Sequence, residues 1–429
     1  MRTVFWSELG VAERHEVLRR PTAAVDESVW SRALEIVESV RLGGDAAVRD
    51  WTRRLDGVEL GSLRILGESV SVSAELESAL ELAAANIRAF HAAQTPASVR
   101  VETMPGLECE MRWVPIRRVG LYVPGGTAPL CSTVLMLAIP ALLAGCGSVA
   151  VVTPPQKGGG VDPAVLAACR VAGVDEIYVM GGAQAVAALA FGTESVPKVD
   201  KIFGPGNAYV TAAKQIVAQR SDGAALDLPA GPTEVMVVAD SAQDPVWVAA
   251  DLLAQAEHDV LSDVVLVTDT AEFGQRVEME CARQLADLPR RSIAAAAMKN
   301  SRVVVVDEWS AALDVIEGYG PEHLLLQGIG PESLAGEVRS AGSVFLGRFT
   351  PESLGDYAAG TNHVLPTAGA AMAYGGVSLM SFLRSMTMQR ATESALGAIG
   401  GAVMELARAE QLEGHARAVE VRTVKVWTR

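Results

Sequence analysis

Six histidines occur in the 429 residues, and four of them stand beside an acid, an amide or a glycine in segments that do not read as ordinary packing. In DLLAQAEHD, Gln255 and His258 fall at i and i+3. On a helix they share a face, where an amide oxygen and an imidazole could reach one metal ion. A histidine near a helix C-terminus equally serves as a cap. In GYGPEHLLLQ, Glu322 and His323 follow a proline and open an apolar run. That places an acid and a base at the edge of a buried element, where proton affinities can be tuned for proton traffic; an exposed loop pair fits the same letters. In LGDYAAGTNHVLPT, Asp356 and His363 lie in a glycine-rich loop just after the strand-like SVFLG. Loops at strand ends are where α/β sheets bind ligands, so Asp356 is a candidate metal ligand. His363 either orients a substrate or braces the loop. Glu410 and His415 in AEQLEGHA are five apart across a glycine, which predicts a helix break between them. The remaining two, His15 and His91, sit in helical segments without catalytic company and are expected at the surface.

Three further positions suit nucleotide phosphates. Tyr122 in GLYVPGG, Gln184 in VMGGAQAV and Asn207 in FGPGNAYV each follow a strand-like run and neighbour glycines that let backbone amides approach a phosphate at a helix start. Each also fits a plain βα turn, because none has the G-x-G-x-x-G spacing of a dinucleotide fingerprint. Asp240, closing EVMVVAD, lacks a preceding fingerprint and is read as a turn residue.

The elements that must carry these residues follow from pattern. From about residue 115, β-branched runs alternate with helical stretches: RRVGLYVP, SVAVVTP, EIYVM and KIFG, then EVMVVAD, DVVLVTD, RVVVVDE and SVFLG. This is βαβ grammar, and it predicts an α/β protein with two successive Rossmann-like domains of roughly four strands each. A helical N-terminal region occupies 1–104, with one helix capped by Asp26 and stopped at a glycine pair, and a second through SAELESALELAAANIRAFHAAQ. The first α/β domain spans 105–232 and the second 233–368. Residues 369–429 form a small C-terminal tail domain with a helix through ESALGAIGGAVMELARAE and an alternating strand AVEVRTVKV. The tail is too light for a core of its own and is expected to pack on its own subunit or a partner chain.

Composition narrows the classes. Half the residues are apolar, so a large core is available. The formal charge of −15, from 51 acidic and 36 basic residues, disfavours nucleic acid as a partner. Five cysteines without a CxxC pair argue against a disulfide framework or a thiolate zinc ribbon and fit a reducing cytoplasm. The start MRTVFWSELG has no secretion-signal core. The apolar stretch 133–152, TVLMLAIPALLAGCGSVAVV, is long enough to imitate a membrane span, but Pro140, Gly145 and Gly147 break it. It reads as a buried helix, a cap and a central strand.

These segments together resemble the histidinol dehydrogenase family, the zinc-containing enzymes of histidine biosynthesis, from about residue 20 to the end. The resemblance runs through RRVGLYVPGG, STVLMLAIPA, MGGAQAVAALAFGTESVPKVDKIFGPGNAYV, DLPAGPTEV, DLLAQAEHD, GPEHLLL, AGSVFLG, ESLGDYAAGTNHVLPT and EGHARAVEVR. It implies one Zn²⁺ per subunit held by Gln255, His258, Asp356 and His415, and Glu322 and His323 as acid/base pair. It also implies NAD contacts at Tyr122, Gln184 and Asn207, placing NAD on the first α/β domain. Thr233 and Glu410 would meet substrate together with Gln255, His258, His323, Asp356 and His415. At Thr233 the family often has Ser, a methyl fewer, while the hydroxyl is kept. The implied reaction takes L-histidinol through the aldehyde to L-histidine with two NAD, His323 taking the first proton and Glu322 activating water. The implied assembly is a homodimer with swapped tails and shared active sites. A paralogous zinc and NAD dehydrogenase of another primary alcohol, and a non-catalytic zinc or nucleotide module, remain as rivals.

Overall fold

The computed structural model describes residues 1–20, 27–65, 70–125, 129–229 and 231–423. The expected cap Asp26 lies outside them. The chain gathers into two compact units, one of residues 1–94 with 116–382 and one of residues 95–115 with 383–429.

The larger unit is built on two six-stranded sheets. In the first, the order is Arg64–Ile65, Glu176–Val179, Ser148–Thr153, Arg118–Tyr122, Lys201–Phe203, Ala225–Leu226. All neighbours are parallel except the short Arg64–Ile65, which runs antiparallel to its partner. The second sheet, wholly parallel, has the order Arg2–Phe5, Arg302–Val305, Asp263–Thr268, Glu234–Ala239, His323–Gln327, Ser343–Leu346. All eight strand-like runs from the sequence are strands here. The sheets exceed four strands because short pieces extend them at both edges and because His323–Gln327 inserts next to Glu234–Ala239.

Helices cover both faces of each sheet, which is why the strands read as continuous apolar runs. In the first sheet Val119, Leu121, Val149, Val151 and Phe203 pack toward helices Ala74–Ala92, Cys131–Leu143 and Pro163–Ala172. The alternate residues Tyr122, Ala150, Val152, Tyr178 and Ile202 pack toward Glu27–Asp56, Gly182–Phe191 and Ala208–Ala218. The second sheet divides in the same way, with Val235, Val237, Leu266 and Leu325 toward Pro245–Ala256 and Ala271–Leu285, and Met236, Val238, Leu324 and Leu326 toward Trp309–Tyr319. Helix ends follow local chemistry. Asp162 accepts from the Ala164 amide at 2.8 Å, Pro163 opens the helix, and Gly173 closes it at φ 88°.

The apolar stretch 133–152 is, as expected, core: the helix Cys131–Leu143, a turn with Gly145 at φ 84°, and an interior strand. No helix among the described residues is long and apolar enough to cross a membrane.

Several elements differ from the sequence reading. The glycine pair does not stop the first long helix. Gly44, at φ 53° and ψ −139°, kinks it, and helix continues to Asp56. Within the stretch read as helical, Arg2–Phe5 and Val99–Met104 are strands. In the tail, AVEVRT belongs to a helix, Glu413–Thr423, instead of a strand, and residues 424–426 lie outside the described part. His91 is fully buried: it continues the stripe Leu80, Ala84, Ile87, and its Nδ1 lies 2.9 Å from the Ile87 carbonyl. His15 is exposed, as expected.

The smaller unit is a three-stranded antiparallel sheet, ordered Leu383–Ala391, Leu107–Pro115, Val99–Met104, with helices Glu393–Ala409 and Glu413–Thr423. Only a few residues of it, such as Ala395, Ala407 and Ala416, are buried, while Val99, Val101, Leu406, Leu412 and Val421 are exposed.

Candidate active site

One cavity in the larger unit collects the chemistry. Its wall includes Thr233, Gln255, His258, Glu322, His323, Asp356 and His363, and continues to Leu130, Ser132, Thr133, Gly204 and Pro205. The second group belongs to the carboxyl edge of the first sheet, where Arg118–Tyr122 lies between Ser148–Thr153 and Lys201–Phe203. Chain connections diverge there, which is where open α/β sheets receive ligands. The second sheet contributes from the opposite end. Thr233, Glu322 and His323 stand at the amino ends of Glu234–Ala239 and His323–Gln327.

The Glu322 carboxylate is fixed by two donors: the Thr233 hydroxyl at 2.5 Å and the Glu234 amide at 2.8 Å. Thr233 in turn accepts from the Gln255 side-chain amide, so its hydroxyl links Gln255 to Glu322. The adjacent His323 is 3% exposed. Its Nδ1 lies 3.1 Å from the Glu234 carbonyl and 3.3 Å from Gln255 Nε2. A carbonyl can only accept, so this shorter contact makes Nδ1 the protonated nitrogen and leaves the lone pair of the neutral ring on Nε2. Nε2 has no hydrogen-bond partner and stands 3.4 Å from Asp356 Oδ1. Burial alone would lower the proton affinity of His323, but the negative charges of Glu352 and Glu322 outweigh it and hold the ring well above an ordinary histidine.

His258 is not on the helix with Gln255. The helix ends at Ala256, and His258 is in the turn beyond, its amide donating to the Gln255 carbonyl at 3.2 Å. The i, i+3 proximity survives through that turn, and His258 is exposed while Gln255 is buried. Asp356 lies in the helical turn Leu354–Ala358. Burial raises its proton affinity, but the His323 ring more than offsets this and leaves it below an ordinary aspartate. The Asp356 carbonyl accepts from His363 Nδ1 at 2.8 Å, which leaves His363 Nε2 to accept from the Thr133 hydroxyl at 3.2 Å. Burial lowers the proton affinity of His363, and its two contacts tie the loop beyond the second sheet to helix Cys131–Leu143 of the first.

A metal-type donor set appears among the described residues: one ligand atom each from His258, Glu352 and Asp356, all within 4.8 Å of one another. Imidazole and carboxylate suit Zn²⁺ and similar divalent ions. Both Glu352 oxygens are buried without hydrogen-bond partners, as expected of a group beside a cation site. The residues therefore fit a divalent metal. Glu352 was not singled out in the sequence. The available signal was its position four residues before Asp356, one helical turn away. Behind the site, Gln327 donates to the buried Asp251 at 2.6 Å; burial raises Asp251 to about 6 despite that bond.

The nucleotide candidates are at the carboxyl edge of the first sheet. The Tyr122 hydroxyl, deeply buried and raised to about 12 by burial, accepts from the Gly182 amide at 3.1 Å. Gln184 is fully buried and its amide has no partner. Asn207 is exposed and caps its helix, accepting from the Tyr209 and Val210 amides at 3.1 Å each. Asp240 is a turn residue, accepting from the Ala242 amide and the Gln243 side chain. Glu410 and His415 lie in the smaller unit and are exposed. The predicted helix break separates them: Gln411 is at φ 62°, between the two tail helices.

Paired parallel α/β layers with an adjacent carboxylate and imidazole in one cavity define an α/β enzyme with groups suited to acid–base chemistry, and His258, Glu352 and Asp356 form a cluster of the kind that holds a divalent cation. The histidinol dehydrogenase family model matches residues 18–423. The chain is 48% identical over 427 residues to histidinol dehydrogenase of Xylella fastidiosa (strain Temecula1), covering 98% of this chain and 99% of that one. It is 50% identical over 412 residues to the enzyme of Bacteroides thetaiotaomicron, covering 95% and 96%. The crystal structure of histidinol dehydrogenase from Elizabethkingia anophelis matches with a TM-score of 0.93 at 44% identity, covering 98% of both chains. The chain belongs to the histidinol dehydrogenase family.

Proposed function

We propose that this chain oxidises L-histidinol through its aldehyde to L-histidine, consuming two NAD⁺ and one water. The observation that carries this is the convergence of Gln255, His258, Glu322, His323 and Asp356 on one cavity. When bound, a zinc ion would grip the substrate's imidazole and amine as a Lewis acid, and NAD⁺ would accept hydride in each oxidation.

The chain's own groups supply the rest. His323 Nε2 takes the hydroxyl proton of the alcohol, with Nδ1 anchored on the Glu234 carbonyl. Glu322, held by Thr233 and Glu234, takes a proton from water as it adds to the aldehyde. Gln255, His258 and Asp356 are assigned as metal ligands that also meet substrate, and Thr233 as a substrate neighbour that keeps Gln255 and Glu322 in place. Its hydroxyl, the group shared with serine, makes both contacts. Tyr122, Gln184 and Asn207 are assigned to the NAD crevice. Tyr122 and Gln184 set the form of the βα turn from within, and the exposed Asn207 offers a helix start to the nucleotide.

His415, as fourth ligand, and Glu410, as a carboxylate for the cationic substrate, are assigned to a second copy of the chain in a homodimer with shared sites. The exposed apolar residues of the smaller unit support a covering partner. The five unpaired cysteines suit a reducing cytoplasm.

Metal analysis with an assay counting NADH per histidinol tests the activity. Two NADH per substrate are expected; a steady ratio of one with aldehyde accumulating refutes the coupled oxidation. For the shared site, mixing inactive His415→Ala and His323→Ala chains is expected to restore activity in heterodimers, because one of the two sites then carries both intact residues. Verified heterodimers without recovery count against it.

A further inference from the structure

We propose that Arg20 and Glu234 are positioning residues for the acid–base pair: their buried ion pair fixes the single backbone unit on which both Glu322 and His323 are anchored. The inference rests on the roles proposed above for those two groups and names what holds them in place.

Glu234 opens its strand, and both of its main-chain polar groups serve the site. Its amide donates to Glu322 at 2.8 Å, and its carbonyl faces His323 Nδ1 at 3.1 Å. A tilt of this one residue therefore displaces the carboxylate and the imidazole together. Its side chain resists that tilt. The Glu234 carboxylate is buried and accepts from Arg20 Nε at 2.5 Å, from Arg20 Nη2 at 2.9 Å and from the Ala368 amide at 2.7 Å. The two-point grip of a guanidinium sets orientation as well as distance. Arg20 is held in turn: Nη2 also donates to the Tyr319 carbonyl at 2.6 Å, and the guanidinium lies 3.9 Å over the Tyr319 ring. That ring is fixed by its hydroxyl, which donates to Asp263 at 2.6 Å, while Arg302 holds both Asp263 oxygens at 2.8 Å each. The Asp263 amide then donates to the Thr233 carbonyl at 3.0 Å, so the contacts close on the residue before Glu234. Charge balance alone would be met by a lysine, whereas the fork, the carbonyl contact and the stacked ring together suit arginine. Neither Arg20 nor Glu234 belongs to the cavity wall, so both act through the groups they hold.

An ion pair that merely fastened the N-terminal segment to the sheet would give a different result. The test uses full-length, metal-loaded protein in single-turnover reactions with saturating NAD⁺, started separately with histidinol and with its aldehyde. The step assigned to His323 and the step assigned to Glu322 are then each read from NADH formation. In Arg20→Met both rates are expected to fall by at least about tenfold, since a displacement of about 1 Å can cost roughly a hundredfold. The histidinol KM should stay within a few-fold and the metal content unchanged. Arg20→Lys, which keeps the charge without the fork, should recover part of the loss. Melting curves set an assay temperature at which every variant is folded; if Arg20→Met does not fold, Arg20→Lys and the near-isosteric Glu234→Gln carry the same comparison. Unchanged rates in a folded but less stable variant overturn the inference, and so does a loss confined to KM or to one of the two steps. Should the unaltered protein leave histidinol unoxidised, the functional reading fails and the His323 ring decides the inference instead. Its nitrogen resonances in ¹⁵N-histidine-labelled protein, assigned by their disappearance in His323→Gln, are expected to move in Arg20→Met; unmoved resonances overturn it.

Discussion

Replacing His323 with glutamine lowers kcat by about 10²–10⁴-fold, the usual worth of a positioned general base, and leaves the histidinol KM within a few-fold of its starting value. The geometry separates the two parameters. His323 Nδ1 is tied to the Glu234 carbonyl, and Nε2 is the free nitrogen, directed at Asp356. Glutamine keeps a side-chain amide that can donate to that carbonyl, so the strand end and the neighbouring Glu322 stay in place. What it removes is a group able to accept a proton. The loss therefore falls on the chemical step, and metal content should stay at the level of the unaltered protein. Steady-state NADH production at saturating histidinol and NAD⁺ checks this, with metal analysis of the same samples. A kcat within a few-fold of the starting protein would move the proton-accepting role to another group, and Glu322, 3.6 Å from the ring, is the first to examine.

Much of the frame was legible in the sequence because its strands are buried on both faces. Runs such as SVAVVT, EVMVVA and DVVLVT have no polar alternation, and in the structure all of their helix-facing positions are enclosed. The hairpin at 99–115 and the strand at 383–391 were not legible for the converse reason. VRVETM and LRSMTMQRA are largely exposed, so their extended form depends on each pairing with Leu107–Pro115, which lies between them in the sheet, the second of them from far along the sequence. A four-residue strand such as Arg2–Phe5 carries too little pattern to identify alone. The tail segment AVEVRT alternates like a strand but packs as a helix, with Val419 and Thr423 near Gly400; tertiary contact outweighed its β-branched content.

At the site, the chemistry-bearing pairs stood out because they are adjacent or a helical turn apart, as with Glu322 and His323 or Gln255 and His258. Glu352 did not, since a single glutamate in PESLGD looks like any exposed loop acid until its burial is seen. Nor did the reversal of sheet ends. The rule that ligands sit at carboxyl edges describes the first sheet, whereas the second presents Glu322 and His323 from its amino edge. His91 shows the limit of reading residue type before position, because its place on the stripe of Leu80, Ala84 and Ile87 already predicted burial.

Replacing Lys214 with methionine is expected to destabilise the protein by about 3–5 kcal/mol, the typical result of removing one partner of a buried ion pair, and to raise the KM for NAD⁺. Lys214 and Asp227 are 4% and 1% exposed and meet at 2.5 Å. Together they hold both backbone groups of Gly204: Lys214 donates to its carbonyl at 2.9 Å, and Asp227 accepts from its amide at 2.7 Å. Gly204 needs this clamp. It lies at φ 113°, and a Cβ there would come within 2.1 Å of the Tyr122 carbonyl oxygen, so the strand ends approach as closely as only glycine permits. Gly204, Pro205 and Asp227 also line the cavity, which connects the ion pair to the shape of the assigned nucleotide side. Methionine keeps most of the aliphatic volume but leaves the Asp227 carboxylate without its cation and the Gly204 carbonyl without its donor. Adding Asp227→Asn removes the uncompensated charge, so the double variant should be more stable than Lys214→Met alone while remaining below the starting protein. Urea unfolding of the three proteins checks that order, since the effects of contacting residues are not additive. If Lys214→Met unfolds at the same urea concentration as the starting protein, the pair does not hold the loop, and the shape of this cavity wall must come from Gly204 and the packing around it.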